Sequence, residues 1–128
     1  MGTRSTIALE YADGTVGQIY CHWDGYLEHN GSILFKHYSD PFKVRELLDN
    51  GDMSSLTETV EGCTFYKERG EVCPQHMFTN CADYTDNHAY EEYEYILRKD
   101  GNWYVKCHDA PYVLLATALT KCNEEEMV

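Results

Sequence analysis

The residues from 20 to 26 form the window of this chain that is richest in chemically capable side chains. The window reads Tyr20-Cys21-His22-Trp23-Asp24-Gly25-Tyr26. Every residue but Gly25 can donate or accept a hydrogen bond, and the aromatic rings offer faces on which a flat ligand could stack. The window therefore predicts a binding surface, although no familiar catalytic signature surrounds it.

Cysteine and histidine are adjacent in this window, which argues against thiol catalysis. Neighbouring residues of an extended strand point to opposite faces, so Cys21 and His22 do not form a nucleophile–base pair. His22 and Asp24 share a face if the strand continues, and with His37 they could act as acid and base in hydrolysing a small ligand. Alternatively, His22 and Asp24 bind loop backbone and fix its shape. We favour this structural role and predict no catalytic residue.

Arg4 extends the window into a candidate pocket. If the first hairpin brings Arg4 near Trp23 and Asp24, a guanidinium, a carboxylate, an imidazole and aromatic rings surround one space, which suits a nucleotide-like molecule. Alternatively, Arg4 forms a structural salt bridge with Asp24, and the rings seal the end of the sheet. The predicted ligand- or partner-binding residues are Arg4, Tyr20, His22, Trp23, Asp24, Tyr26 and His37.

A second group of potential ligands follows later in the chain. Cys73, His76 and Cys81 are spaced like zinc ligands. A fourth donor would come from Cys63, Cys107 or His108. Structural zinc sites usually contain two close pairs of ligands, whereas only one pair approximates that pattern here. We therefore predict no cofactor, with zinc as the alternative, and expect free thiols because a reducing cytosol disfavours disulfides.

Two β-hairpins are predicted to position these residues. The first joins residues 7–11 to 16–20 through Asp13-Gly14, and the second joins 93–99 to 103–107 through Asp100-Gly101. Tight two-residue turns would place Ile7 opposite Tyr20, Leu9 opposite Gln18, Arg98 opposite Trp103 and Tyr95 opposite Lys106. A bulge of one residue in the first hairpin would change the residue pairs of that hairpin.

Turn and capping residues divide the rest of the chain. A short helix is predicted from about Ser32 to Tyr38, and a second begins at Pro41 after its cap Asp40 and ends before Gly51. Residues 52–60 are predicted as loop, 63–66 as a short strand, and 67–90 as loop with a turn of helix. A last helix begins with the cap Asp109 near Pro111, and its predicted buried side consists of Val113, Leu114, Ala118, Leu119 and Cys122.

These elements predict one α+β domain that comprises residues 1–128. Its sheet is mainly antiparallel, consists of the two hairpins and the short strand, and is covered on one face by two to three helices. No Pro/Gly/Ser-rich linker divides the chain. Acidic residues follow the last helix, so residues 124–128 are predicted to form a mobile tail.

Composition limits the partners of this domain. Acidic residues number 22 against 10 basic ones, and the net charge of −12 opposes direct binding to nucleic-acid phosphates. The same charge favours encounter with a basic protein surface, although excess acid is also common in soluble proteins. No long apolar segment begins the chain, and the apolar run 113–116 is too short to span a bilayer. We therefore expect a cytoplasmic protein without a membrane partner.

Several motifs together resemble a family of small proteins encoded by tailed bacteriophages. The resemblance covers most of the first seventy residues and, more weakly, residues 100–105. That family has no established activity, so the resemblance transfers no catalytic role and implies a phage accessory protein in the cytosol of an infected bacterium. The motifs are GTRSTIA at residues 2–8, YCHWDGY at 20–26, His29-Asn30-Gly31, His37-Tyr38, CTFY at 63–66 and Arg69-Gly70-Glu71.

Phage accessory proteins commonly bind and disable host factors or defence systems, and this analogy guides the functional prediction. We expect a non-enzymatic, stoichiometric inhibitor that binds a host defence or regulatory protein through an acidic and aromatic surface. One alternative is a module that sequesters a nucleotide-like signal molecule. The other is a small hydrolase that uses His22, Asp24 and His37. The sequence identifies neither the target nor the oligomeric state.

Overall fold

In the residues that the structure describes, an eight-stranded sheet carries four α-helices. The computed structural model describes residues 3–71, 73–87, 91–108 and 110–126. The strands are β1 (Ser5–Glu10), β2 (Val16–Cys21), β3 (Met53–Ser55), β4 (Thr64–Phe65), β5 (His76–Phe78), β6 (Tyr93–Leu97), β7 (Trp103–Cys107) and β8 (Val113–Leu114). The helices are α1 (Ser32–His37), α2 (Pro41–Asp49), α3 (Cys81–Asn87) and α4 (Leu115–Glu126), with a π-helical turn at Leu27–Gly31 and a 3₁₀ turn at Tyr66–Arg69.

The strands are ordered β4-β3-β2-β1-β6-β7-β8, and β5 also pairs with β2. Most neighbours are antiparallel, but β1 pairs with β6, and β2 with β3, in parallel. The predicted α+β class with a mainly antiparallel sheet is confirmed, although the strands are more numerous than predicted. The loop prediction was wrong for β3 and β5, because three-residue strands are too short to show an alternating pattern, whereas α3 lies where a turn of helix was predicted within residues 67–90.

Both hairpins have a register one residue away from the predicted one. In the first, Ile7 lies opposite Ile19 rather than Tyr20, and Leu9 lies opposite Gly17 rather than Gln18. In the second, Leu97 rather than Arg98 lies opposite Trp103, and Tyr95 lies opposite Val105 rather than Lys106. The predicted Arg98–Trp103 pair is therefore wrong, and the Arg98 guanidinium instead contacts the Glu10 carboxylate at 2.9 Å.

The shifted registers have one cause in the turns. The amide of Gly14 donates to the carbonyl of Tyr11 at 2.9 Å, and the amide of Tyr11 donates to the carbonyl of Thr15 at 2.8 Å. Gly14 has a φ of 90°, the left-handed conformation that glycine adopts without strain. The turn thus contains three residues instead of two, and Gly101, with a φ of 86°, repeats this geometry in the second hairpin.

The sheet has a packed core on each face, because side chains alternate along β1. Ile7 and Leu9 face the larger core, which is closed by α1, α2 and α4, while Ala8 faces the smaller core under Tyr84 of α3. Three helices therefore cover one face, as predicted, and α3 additionally covers the other face, which was not predicted. The larger core includes Ile19, Leu34, Val44, Leu47, Leu48, Tyr95, Leu97, Val105 and Leu115, and the smaller one includes Val16 and Ile96.

The helix ends follow capping chemistry in one case and depart from it in another. The Asp40 carboxylate accepts a hydrogen bond from the Phe42 amide at 2.9 Å, and Pro41 begins α2 as predicted. The last helix instead begins at Leu115, because Val113 and Leu114 pair with β7 and remain exposed. Asp109 and the side chain of Cys122 lie outside the described part of the chain.

No helix of the described ranges is long and apolar enough to cross a membrane.

Candidate functional site: an aromatic surface at the end of β2

Beyond the end of β2, the predicted window continues beside β3. The amide of His22 donates to the Met53 carbonyl at 3.1 Å, and the amide of Trp23 donates to the Ser54 carbonyl at 2.9 Å. Asp24 then adopts a φ of 57°, which turns the chain away from the sheet. The backbones of His22 and Trp23, which follow the end of β2, are therefore hydrogen-bonded to the carbonyls of Met53 and Ser54, and the chain turns at Asp24.

A buried amide fixes this loop from below. Asn30 is fully buried, and its Nδ2 lies 3.3 Å from Ser5 Oγ, 3.4 Å from Cys21 Sγ and 3.4 Å from the Trp23 carbonyl oxygen. A side chain that is buried with its polar atoms satisfied specifies one arrangement of its neighbours. The backbone around Trp23 is therefore set by side-chain hydrogen bonds in addition to the strand pairing.

The turn at Gly25 is held against the sheet from two sides. The hydroxyl of Tyr95, which is fully buried, donates to the Gly25 carbonyl at 2.6 Å, and the Gly25 amide donates to the Thr3 carbonyl at 2.8 Å. A Cβ at Gly25 would lie 2.7 Å from the Ser5 Cβ, so only glycine fits this approach. This part of the window is structural.

Tyr20, His22 and Trp23 form the accessible part of the window, which we call the aromatic surface. The Tyr20 hydroxyl and His22 Nδ1 are 2.6 Å apart, and the His22 and Trp23 rings meet edge to face with centroids 4.7 Å apart. Trp23 is 45% exposed. The contacts hold the three rings in one relative orientation, so a large apolar ring is presented to solvent in a fixed pose.

Charged groups border the aromatic surface. Burial raises the pKa of Tyr20, and the nearby Arg4 cation acts in the opposite direction while Glu91 adds to the rise. Burial also raises the pKa of Glu91, against the influence of the Arg4 and His22 charges. Arg4 thus lies within electrostatic range of both Tyr20 and Glu91, as the hairpin pairing requires. The exposed Arg4 guanidinium and the Glu91 carboxyl thus both influence the ionisation of Tyr20, in opposite directions.

The other predicted site residues take different positions. Tyr26 is half-buried and its ring centroid lies 6.2 Å from that of His29. The main-chain carbonyl of Asp24 accepts a hydrogen bond from the Asn30 amide at 3.2 Å, a backbone contact that leaves the predicted role of the Asp24 side chain a prediction. His37 is exposed at the end of α1, where its carbonyl accepts from Lys43 Nζ at 2.7 Å. The contacts seen in the described residues do not join His37 to the aromatic surface.

The geometry favours binding over catalysis at this surface. The Nδ1 of His22 is engaged by the Tyr20 hydroxyl, which is the position a carboxylate would take in an acid–base dyad. Burial raises the pKa of Cys21 to about 11, so its thiol is protonated at neutral pH. The thiol is also fully buried in the larger core. What remains accessible is a set of rings and charges that can make contacts.

The candidate zinc ligands do not meet. The described residues contain no group of three or more His, Cys, Asp or Glu side chains that could hold a metal ion. The Cys73 carbonyl accepts from the Asp52 amide at 2.9 Å, His76 is an exposed residue of β5, and Cys81 donates its thiol proton to Glu10 Oε2 at 3.2 Å. Ligand-like spacing in the sequence is therefore not matched by a common site for these three residues.

The sequence analysis missed a row of polar side chains on the face covered by α3. Pairing places Tyr20, Thr6, Glu94 and Lys106 in register across β2, β1, β6 and β7. Glu94 is fully buried; it accepts from the Tyr112 hydroxyl at 3.0 Å, and Lys106 Nζ lies 3.8 Å away. The available signal was Glu94, a glutamate among the apolar residues of a predicted strand. Because helices were predicted on one face of the sheet, a glutamate on the other face was expected to meet water.

Comparison with known proteins adds no assignment. No protein-family model matches the chain, and neither the curated proteins nor the solved structures contain a significant match to it. The similarity to tailed-bacteriophage proteins therefore stays a prediction. We infer function from the geometry and charge of the aromatic surface.

Proposed function

We propose that this protein acts without catalysis, by binding a host defence or regulatory protein and inhibiting it stoichiometrically. The aromatic surface of Tyr20, His22 and Trp23 is the proposed contact, with Arg4 and Glu91 at its border. The observation that carries the proposal is the half-exposed Trp23 ring, which is held edge-on against His22 while Asn30 fixes its backbone. Tryptophan is enriched among the residues that dominate binding energy at protein interfaces.

Preorganisation supports this role. A free tryptophan on a mobile loop loses rotamer and backbone freedom on binding, at about 0.5–1.5 kcal/mol for each ordered side chain. The Trp23 backbone is already paired to Ser54, and the His22 ring is already bound by Tyr20. Most of that ordering therefore precedes association, and more of the contact energy is available for affinity.

Net charge supports a basic partner. The chain carries a formal charge of −12, and a partner with a positive surface would be steered toward it at low ionic strength. Within the analogy to phage accessory proteins, the nucleic-acid groove of a host enzyme has this character. Binding is therefore expected to weaken as salt is raised across the physiological range.

The test is capture of partners from the infected host with a matched pair of variants. Trp23→Ala removes the proposed anchor, and Phe42→Ala removes a ring that is 80% exposed on α2 and lies outside the proposed contact. We expect one host protein to bind the parent chain and the Phe42→Ala variant, and to bind Trp23→Ala at least about 30-fold more weakly, which corresponds to a hot-spot loss of 2 kcal/mol or more. Equal binding by both variants would refute the proposal.

A nucleotide-like signal molecule is the second candidate ligand of the same surface. Two features support it. The Arg4 cation lies within electrostatic range of Tyr20, and the Trp23 ring of the same surface is exposed. Mass spectrometry of the protein captured above distinguishes the two, because a sequestering module retains a small molecule and releases it in an Arg4→Ala variant. Capture of a host protein whose binding is unchanged by Arg4→Ala would favour the inhibitor.

A further inference from the structure

A small cavity lies on the face of the sheet that α3 covers, and none of its lining residues belongs to the aromatic surface. Its volume is about 80 Å³. The rings of Tyr84, Tyr104 and Tyr112 and the side chain of Ile96 line it, together with the exposed Thr85 and Arg98. One water needs about 10–15 Å³ by this type of measure, so the space holds several waters or one small ring.

The hydroxyl groups of this cavity present oxygen lone pairs. The Tyr112 hydroxyl donates to Glu94 Oε1 at 3.0 Å, and the Tyr104 hydroxyl donates to Asp100 Oδ2 at 2.5 Å. The Tyr112 oxygen also lies 3.5 Å from the Tyr84 hydroxyl, whereas the Tyr104 oxygen, whose one proton is donated to Asp100, keeps lone pairs that can accept a hydrogen bond. Burial raises the pKa of Tyr112, and it raises the pKa of Tyr84 to about 12, so these walls are neutral at physiological pH.

The cation beside the cavity is already neutralised. The Arg98 Nε lies 2.9 Å from Glu10 Oε1, and the Cys81 thiol donates to the other oxygen of the same carboxylate at 3.2 Å. Lys106 Nζ lies 3.8 Å from the buried Glu94 carboxylate in the same way. Charges around the cavity thus occur in pairs, which gives no advantage to an ionic ligand.

We propose that this cavity binds a neutral, planar aromatic molecule that carries an N–H or O–H donor. Aromatic walls favour a flat ring in edge-to-face or offset contact. The acceptor oxygen of Tyr104 selects a ligand with a donor over an isosteric hydrocarbon. One net hydrogen bond is worth about 1 kcal/mol, so the donor improves affinity about five-fold.

The test compares two probes of equal size by nuclear magnetic resonance. Aniline carries the donor, and toluene replaces it with a methyl group. Titration of isotopically labelled protein with aniline is expected to give saturable shifts at the Ile96 methyl groups and the Tyr104 ring, and toluene is expected to bind about five-fold more weakly. Toluene binding as tightly as aniline, or no saturable shift at Ile96 with either probe, overturns the proposal.

Two variants of α3 show whether the probe enters this cavity. Thr85→Trp places a bulky ring at a residue that lines the cavity, and Ala82→Trp places the same ring at an exposed position of the helix outside the lining. Aniline shifts are expected to persist in Ala82→Trp and to be lost in Thr85→Trp. Shifts that survive in Thr85→Trp show binding elsewhere and refute the site. If Thr85→Trp fails to fold, the aniline and toluene comparison on the parent protein still decides.

Discussion

Replacement of Tyr95 by phenylalanine tests whether the loop under the aromatic surface is fixed by buried hydrogen bonds. Tyr95 is fully buried, and its hydroxyl donates to the Gly25 carbonyl at 2.6 Å. Phenylalanine keeps the ring, so the core loses no packing, but the buried Gly25 carbonyl loses this partner. An unsatisfied buried acceptor destabilises the folded state by about 1–3 kcal/mol.

The free energy of unfolding, measured by urea denaturation at neutral pH, gives this quantity directly. Tyr104→Phe is the matched control, since it removes a tyrosine hydroxyl of the neighbouring strand whose partner, Asp100, is exposed. We expect Tyr95→Phe to lower the free energy of unfolding by about 1–3 kcal/mol and Tyr104→Phe by less than about 0.5 kcal/mol. The slope of free energy against urea should be the same in all three proteins, because the unfolded chain exposes nearly the same area.

Two outcomes would refute the reasoning. If Tyr95→Phe lies within about 0.5 kcal/mol of the parent protein, the Gly25 carbonyl has found another partner and the loop is not fixed in the way described. If both variants lose the same amount, burial of the hydrogen bond is not what determines its contribution. Either result would also weaken the proposed function, which relies on a Trp23 backbone that is ordered before binding.

Two further predictions concern ionisable groups. Burial raises the pKa of Asp52, so protonation favours the folded state and the stability contribution of this carboxyl falls as pH rises through the raised pKa. Asp52→Asn should therefore become progressively more stable than the parent protein as pH rises from the ordinary aspartate pKa of about 3.9 through the raised pKa, in urea unfolding, and a constant difference would contradict this. Burial raises the pKa of Cys21 to about 11, so iodoacetamide at pH 8 should label partly exposed Cys73 and spare Cys21 in the folded protein, as peptide mass spectrometry can determine. Equal labelling of the two thiols would contradict the buried, protonated state.

Local chemistry made some elements predictable from the sequence. The cap Asp40, Pro41 at the first helical position and Gly51 beyond the end determine α2 through neighbouring residues alone. Asp-Gly pairs likewise located both hairpins, because only their turns are needed to recognise them. The register depends on one extra residue in each turn, and sequence alone does not distinguish a two-residue turn from a three-residue turn around Asp-Gly.

Elements stabilised by distant partners were not predictable in this way. Met53 enters the sheet because Cys21 pairs with it in parallel, and the polar residues after it give no strand pattern of their own. The same holds for β8, where pairing with β7 takes Val113 and Leu114 out of the predicted helix. Both side chains are exposed, whereas the sequence predicts them on the buried side of that helix, since apolar residues near a predicted start suggest a core-facing stripe.

The window from residue 20 to 26 shows why chemical richness alone does not identify a site. Cys21 is buried in the larger core, and the Gly25 carbonyl accepts a hydrogen bond from the Tyr95 hydroxyl. Both residues therefore belong to the interior. The strand pleat places Tyr20 on the face opposite Cys21, and His22 and Trp23 follow beyond the end of β2, where they are accessible. Side chains that look equivalent in the sequence therefore have two different roles. Some are buried and hold the loop in place, and others are accessible to a partner. Trp23 and its two neighbours therefore owe their orientation to hydrogen bonds that the chain itself makes, through Asn30 below the Trp23 carbonyl and through Tyr20 beside His22.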